Sequence, residues 1–189
     1  NPLYNLAHLK GYIFNSAYVD LCANPTIGMT GDARMGSIQV GALLLDTVDM
    51  HIFQDSTGVQ MAGWVKNNRK NPNPLEVRLK SYLMKAGAGA ELSYYDRTGR
   101  CGVNLGLQAS LQDHGINITL SPHNPVLAYR KFTVNPNNYV FIDKNNFVRA
   151  NLNLLADDGT GLKIYGEPKD SVNDITVSVN QLNLNELTT

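Results

Sequence analysis

Cysteine is almost missing from this sequence. Of 189 residues only Cys22 and Cys101 are cysteines, far apart and in no C-x-x-C spacing. The pair neither defines a redox compartment nor makes a metal site, and is expected as unpaired core residues, because free cysteine behaves as a small hydrophobe. An excess of charge is missing too. Sixteen Lys and Arg balance sixteen Asp and Glu. No net field therefore attracts a phosphate backbone or an anionic membrane surface, and no nucleic acid partner is expected. No run of about 18 apolar residues occurs that could cross a bilayer as a helix. There is neither an initiator Met nor a signal peptide, so the chain is expected to be a trimmed piece of a longer gene product.

Catalytic motifs are absent as well. GDARMGS (31–37) has the glycine spacing of a phosphate loop but lacks its Lys, and GAGAEL (87–92) has Leu92 where a dinucleotide fingerprint needs its third glycine. There is no G-x-S-x-G and no H-E-x-x-H. His8, His51, His114 and His123 fall in separate segments and read as surface or turn residues. DDGTG (157–161) lacks the further oxygen ligands of a calcium loop and reads as a tight turn. Asn117, Ile118 and Thr119 form only a formal glycosylation acceptor. The expectation is a protein that is not an enzyme, with no cofactor and no metal.

Period two is what the sequence has in abundance. RCGVNLGLQASLQ (100–112) places Cys101, Val103, Leu105, Leu107, Ala109 and Leu111 on alternate positions, with Gly102, Asn104, Gly106, Gln108, Ser110 and Gln112 between them. A strand points successive side chains to opposite faces, so this stretch has one oily face and one wet face. About a dozen such runs recur. They include Ile38 to Leu44, Val48 to Ile52, Val59 to Val65, Leu75 to Leu83, Ala88 to Tyr94, Ile116 to Leu120, Val148 to Leu154 and Ile175 to Val179; Leu182 and Leu184 follow on the other parity, as after a bulge near Asn180 and Gln181. DSTG (55–58), NNRKNPNP (67–74), DRTG (96–99), DHG (113–115), NPNN (135–138), DKNN (143–146) and DDGTG read as hairpin connections between antiparallel strands. The one plausible helix is short, over 3–9. Glycines inside strands, such as Gly63, Gly89, Gly102 and Gly106, mark corners or places where something approaches closely.

With 43% hydrophobic residues and almost no helix, the oily face must be covered by another sheet or by something that is not this chain. A dozen strands side by side extend about 58 Å, far more apolar surface than a soluble monomer leaves bare. The sheet therefore folds shut, as a β-sandwich or barrel, or stays partly open around a guest. An acyl chain fits the second case: about fifteen methylenes in water cost on the order of 12 kcal/mol, and a two-chain lipid about twice that. An apolar floor removes that cost without any reactive group. The expected lining residues are Leu79, Leu92, Val103, Leu105, Leu107, Ile116, Ile118, Leu120, Leu152 and Leu154. In the closed alternative, an adhesion or glycan-binding module, Trp64 and the nine tyrosines, Tyr94 and Tyr95 among them, would stack on sugar faces.

The stretch KFTVNPNNYVFIDKNNFVRANLNLLADDGTGLKIYGEPKDSVNDITVSVNQLNLNELT, residues 131–188, resembles the TamB family of translocation and assembly module proteins, in particular its Bacteroidota-type members. The LLADDGTGLKIYG hairpin and the DITVSVNQLNL strand carry the likeness, which extends to the rest of the chain only as alternating strands with Asn, Asp and Gly turns. The resemblance implies a very long periplasmic protein, anchored in the inner membrane by an N-terminal segment, whose sheets curl into an open, apolar groove. It implies kinship with AsmA-like, bridge-type lipid carriers that move phospholipid to the outer membrane. It also implies a role in outer-membrane protein assembly with a partner barrel of the BamA superfamily. This chain departs from the family pattern in lacking the anchor and the C-terminal end where that partner would dock, so docking is not assigned to its residues. The expectation is one all-β segment over 1–189: a mostly antiparallel curved sheet around an open apolar groove, with a β-sandwich as the alternative.

Overall fold

The structure, a computed structural model, describes residues 12–13, 16–25, 28–40, 43–67, 74–169 and 172–181. The expected helix over 3–9 and the phase-shifted Leu182 and Leu184 lie outside these residues. The described chain is all-β. Its strands are β1 (Tyr12–Ile13), β2 (Ser16–Asn24), β3 (Gly28–Val40), β4 (Leu43–Gln54), β5 (Gly58–Asn67), β6 (Glu76–Met84) and β7 (Gly87–Tyr95). They continue with β8 (Cys101–Gln112), β9 (Gly115–Leu127), β10 (Arg130–Val134), β11 (Tyr139–Asp143), β12 (Val148–Ala156), β13 (Gly161–Gly166) and β14 (Ile175–Asn180).

All fourteen strands belong to one antiparallel sheet in which chain order is almost spatial order. Two lanes are shared. β1 and β2 lie end to end along β3, and β10 and β11 lie end to end between β9 and β12. Substantial strand contacts run between hydrogen-bonded neighbours, with a minor one between β12 and β14. The described strands form one sheet with no second sheet beside it, and few of their apolar side chains are buried. The sandwich alternative would require a second sheet.

The turns are made by aspartate. Asp55 Oδ1 accepts from the Thr57 N–H and hydroxyl at 2.7 and 2.6 Å, and Asp96 Oδ1 from those of Thr98 at 2.8 and 2.7 Å. Asp158 Oδ1 accepts from the Thr160 N–H at 3.0 Å, within the expected tight turn. These side chains imitate a backbone turn and set the hairpin registers. Hydrogen bonds from Thr57 and Thr98 hold the Asp55 and Asp96 carboxyls below the usual carboxylate range, and the Thr160 N–H does the same for Asp158.

NPNN (135–138) departs from its expected role. It joins β10 to β11 without reversing the chain, so it interrupts one lane instead of closing a hairpin. Asparagine repairs the gap, because its carboxamide offers the same donor and acceptor as a peptide. Asn138, only 6% exposed, accepts from the Leu120 N–H at 2.6 Å and donates to the Leu120 carbonyl at 3.3 Å. Asn135 accepts from the Asn153 N–H at 2.8 Å and donates to the Asn151 carbonyl at 3.1 Å. β9 and β12 thus keep partners where the lane breaks.

Three further expectations change. The run Ile38, Val40, Ala42 and Leu44 is divided between two strands, with Val40 opposite Leu43 and Ile38 opposite Leu45. Tyr94 pairs with Val103 but Tyr95 with Cys101, so an extra residue at Gly102 turns Cys101 away from the face of Val103. Both cysteines are free, but neither is in a core: Cys22 is exposed on an edge strand and Cys101 is half-buried.

Asn138→Ala leaves both Leu120 backbone groups without that partner and lowers stability by about 2 kcal/mol in a urea titration. Asn137→Ala, an exposed neighbour, stays within about 0.5 kcal/mol. The lowered Asp55, Asp96 and Asp158 pKa values fix a pH dependence by sign. Their contribution is complete above the unfolded value, about 3.9, and fades as pH falls through the lower folded values. The urea midpoint therefore drops below about pH 4, and drops less steeply in the triple Asn variant.

Candidate functional site

Cross-strand partners share a face, so the registers sort every side chain to one side or the other. One row runs Ala33, Met50, Gly63, Leu79, Leu92 and Leu105 across β3 to β8. Leu107 pairs with Leu120, and Ala109 with Ile118, which pairs in turn with Val140, itself opposite Ala150. Leu152 and Leu154 follow Ala150 at period two, opposite Ile164 and Leu162, which face Val177 and Val179 of β14. All ten residues expected to line a groove stand on this one face. It is apolar from β2, with Val19 and Leu21, to β14.

Burial divides the ten. Leu154 belongs to a small core with Phe132, Val134 and Ala156, against which Leu120, Leu152, Leu127 and Leu162 pack. At that corner the apolar face covers itself. Leu79, Val103, Leu105 and Ile118 are half-buried by their neighbours. Leu92, Leu107 and Ile116 are 42%, 52% and 40% exposed, as are Leu83 and Leu111 beside them at 61% and 58%. Large side chains in water on this scale are unusual for a soluble monomer. Where Gly63 stands in the row between Met50 and Leu79, the face carries a hollow of about 160 Å³ lined by Met50, Met61, Val65, Val77 and Leu79.

One end of the face has an aromatic rim. The Tyr94 and Tyr129 rings meet edge to face, 6.3 Å apart at 71°, and the Arg100 guanidinium lies 4.7 Å over Tyr129. The Tyr94 hydroxyl and burial push the Tyr129 phenol up to about 12, so it stays neutral across ordinary pH.

The opposite face is wet. Arg34 meets Asp49 at 2.6 Å, His51 meets Asp32 at 2.8 Å, and Arg78 meets Glu76 at 2.6 Å with Lys66 at 3.7 Å. Exposed pairs of this kind add little to stability, but they hold the polar rows in register. A second hollow, about 510 Å³ over β4 to β9, lies mainly on this face. Gly89, which carries no side chain, is part of its floor. Sequence reasoning missed it, although glycines at alternate strand positions were the available signal. Among the described residues no cluster of three His, Cys, Asp or Glu side chains could hold a metal ion.

No protein-family model, curated protein or solved structure matches the chain.

The uneven burial has a measurable consequence. Leu154→Ala removes a core side chain and costs about 2 to 5 kcal/mol, whereas Leu107→Ala costs less than about 1 kcal/mol. Urea titrations of the two variants measure the contrast.

Proposed function

We propose that this chain is a segment of a periplasmic, TamB-like protein whose apolar sheet face shields the acyl chains of phospholipid on their way between the inner and outer membranes. What supports the reading is one observation: a single face, apolar from β2 to β14, that has no covering layer among the described residues. Passive shielding needs contiguous apolar area and no reactive group. Methyl and methylene groups from Leu79, Leu92, Leu105, Leu107, Leu120 and Ile118 offer it over adjacent strands. The Arg34–Asp49 and Arg78–Glu76 ion pairs keep the other face in water while the oily one is occupied.

In this reading the strands curl around the lipid, and the local core of Phe132, Val134, Leu154 and Ala156 closes one corner. Work in outer-membrane protein assembly, with a BamA-superfamily barrel as partner, belongs to the full-length protein anchored in the inner membrane. Among the described residues β2 and β14 are each paired on one side only, which fits a slice of a longer sheet. The closed adhesion module is the weaker reading because it needs a filled interior, whereas Leu92, Leu107 and Leu111 of this face are exposed.

The test is site-specific photo-crosslinking. A photoactivatable residue at Leu105 or Ile118 yields phospholipid adducts, and one at Gln108 or Asn117 on the wet face yields few. Equal adducts at both pairs, or none at either, would contradict lipid shielding by this face.

A further inference from the structure

The hollow on the wet face is no place for an acyl chain. Gln60, Lys80, Glu91, Gln108 and Ser121 line it, and burying these groups against hydrocarbon leaves them without hydrogen-bond partners. Its volume, about 510 Å³, falls in the range of small-molecule sites, roughly 300 to 1,000 Å³.

Its shape comes from one pairing. Tyr82 stands opposite Gly89, and Gly89 opposite Gln108. A Cβ on Gly89 would lie 2.4, 2.7 and 2.8 Å from Tyr82 Cε1, Cζ and the hydroxyl oxygen. The edge of the phenol therefore lies down on the glycine backbone, a position that any larger residue at 89 would forbid. Tyr82 is half-buried and lines the hollow, so part of its ring is open to a ligand. Gln60 stands opposite Tyr82 on one side, and Phe53 opposite Gln60 beyond it. In the adjoining row are His51, Ala62, Lys80 and Glu91. The His51 ring is held by Asp32 at 2.8 Å.

Charge narrows the ligand further. Lys80 and Glu91 face each other across β6 and β7, so one cation and one anion leave the hollow without a net field. An anionic ligand gains nothing there. What fits is a neutral molecule with a flat C–H face for the aromatic ring and hydroxyls for two carboxamides, a carboxylate and an ammonium group. That is the chemistry of a hexose ring.

We propose that the wet face carries a glycan subsite in which a neutral hexose ring stacks on Tyr82 and its hydroxyls bond to Gln60, Gln108 and Glu91. The subsite is independent of lipid shielding: it lies on the other side of the sheet, and either face can act without the other.

Saturation-transfer NMR on the 189-residue chain tests it, with cellotetraose, maltotetraose and chitotetraose as neutral probes, tetragalacturonate as the anionic probe and adenosine as a flat non-sugar. The expected result is transfer from the protein to the C–H protons of at least one neutral oligosaccharide, and much weaker transfer to tetragalacturonate and adenosine. Tyr82→Ala weakens that binding by about tenfold, the size of one lost stacking contact. Tyr82→Phe keeps the ring and retains binding within about threefold, so loss of fold in the Ala variant would not obscure the result. Gln108→Ala weakens binding, whereas Leu111→Ala, on the oily face, leaves it unchanged. Transfer to none of the three oligosaccharides, stronger binding of tetragalacturonate or adenosine, or equal binding by wild type and a folded Tyr82→Ala variant would overturn the assignment.

Discussion

Register is the constraint on which the rest of this structure depends. A strand alternates faces with every residue, so one slip of a single position would carry its apolar side chains into the ion-paired rows opposite. From β2 to β14 one face persists, and Val19, Met50, Leu79, Leu105, Ile118, Leu152 and Val177 end up on one side. Where the chain gains a residue, as at Gly102, the irregularity stays local and the face continues from Val103 onward.

Small polar side chains keep that register where the backbone cannot. Asp55, Asp96 and Asp158 shape hairpin ends with their own carboxylates, and Asn138 and Asn135 supply the amide groups missing where β10 gives way to β11. Asn67, 2% exposed, closes the β5 to β6 connection in the same way, its Oδ1 accepting from the Leu75 N–H. Satisfying these groups matters because an unpaired N–H or C=O out of water costs free energy comparable to a whole hydrogen bond. A sheet without a covering layer has few other sources of order, since its buried hydrophobic cluster comes to Phe132, Val134, Leu154 and Ala156 with the side chains around them.

Much of this could be read before the structure, and the exceptions share a cause. That the ten residues named for a groove share one face was legible because face depends only on parity and on which residue each hairpin begins with. NPNN was misread because the composition that reverses a chain also interrupts a lane, and only the partners β9 and β12 distinguish the two. Cys101 was placed on the wrong face because a one-residue bulge leaves no mark in an alternating pattern. The exposure of Leu107 against the burial of Leu154 was illegible for the same kind of reason: both obey period two, and burial depends on Phe132 and Val134, which arrive from another part of the chain. The hollow beside Tyr82 lay within reach, since the short turn at Lys85 and Ala86 already puts Tyr82 opposite Gly89.

The two faces have different physical capacities. One offers area to hydrocarbon and the other offers hydrogen bonds around a flat ring, and the sheet between them is one layer thick. The claim beneath both is that this polypeptide leaves its own oily side open. Relaxation of methyl protons by a water-soluble paramagnetic agent measures this directly. The Leu92, Leu107, Leu111 and Ile116 methyls should relax strongly, while those of Val134 and Leu154 stay protected. Uniform protection of all six in the dilute, lipid-free chain would mean that a second layer covers the face, and would contradict the account.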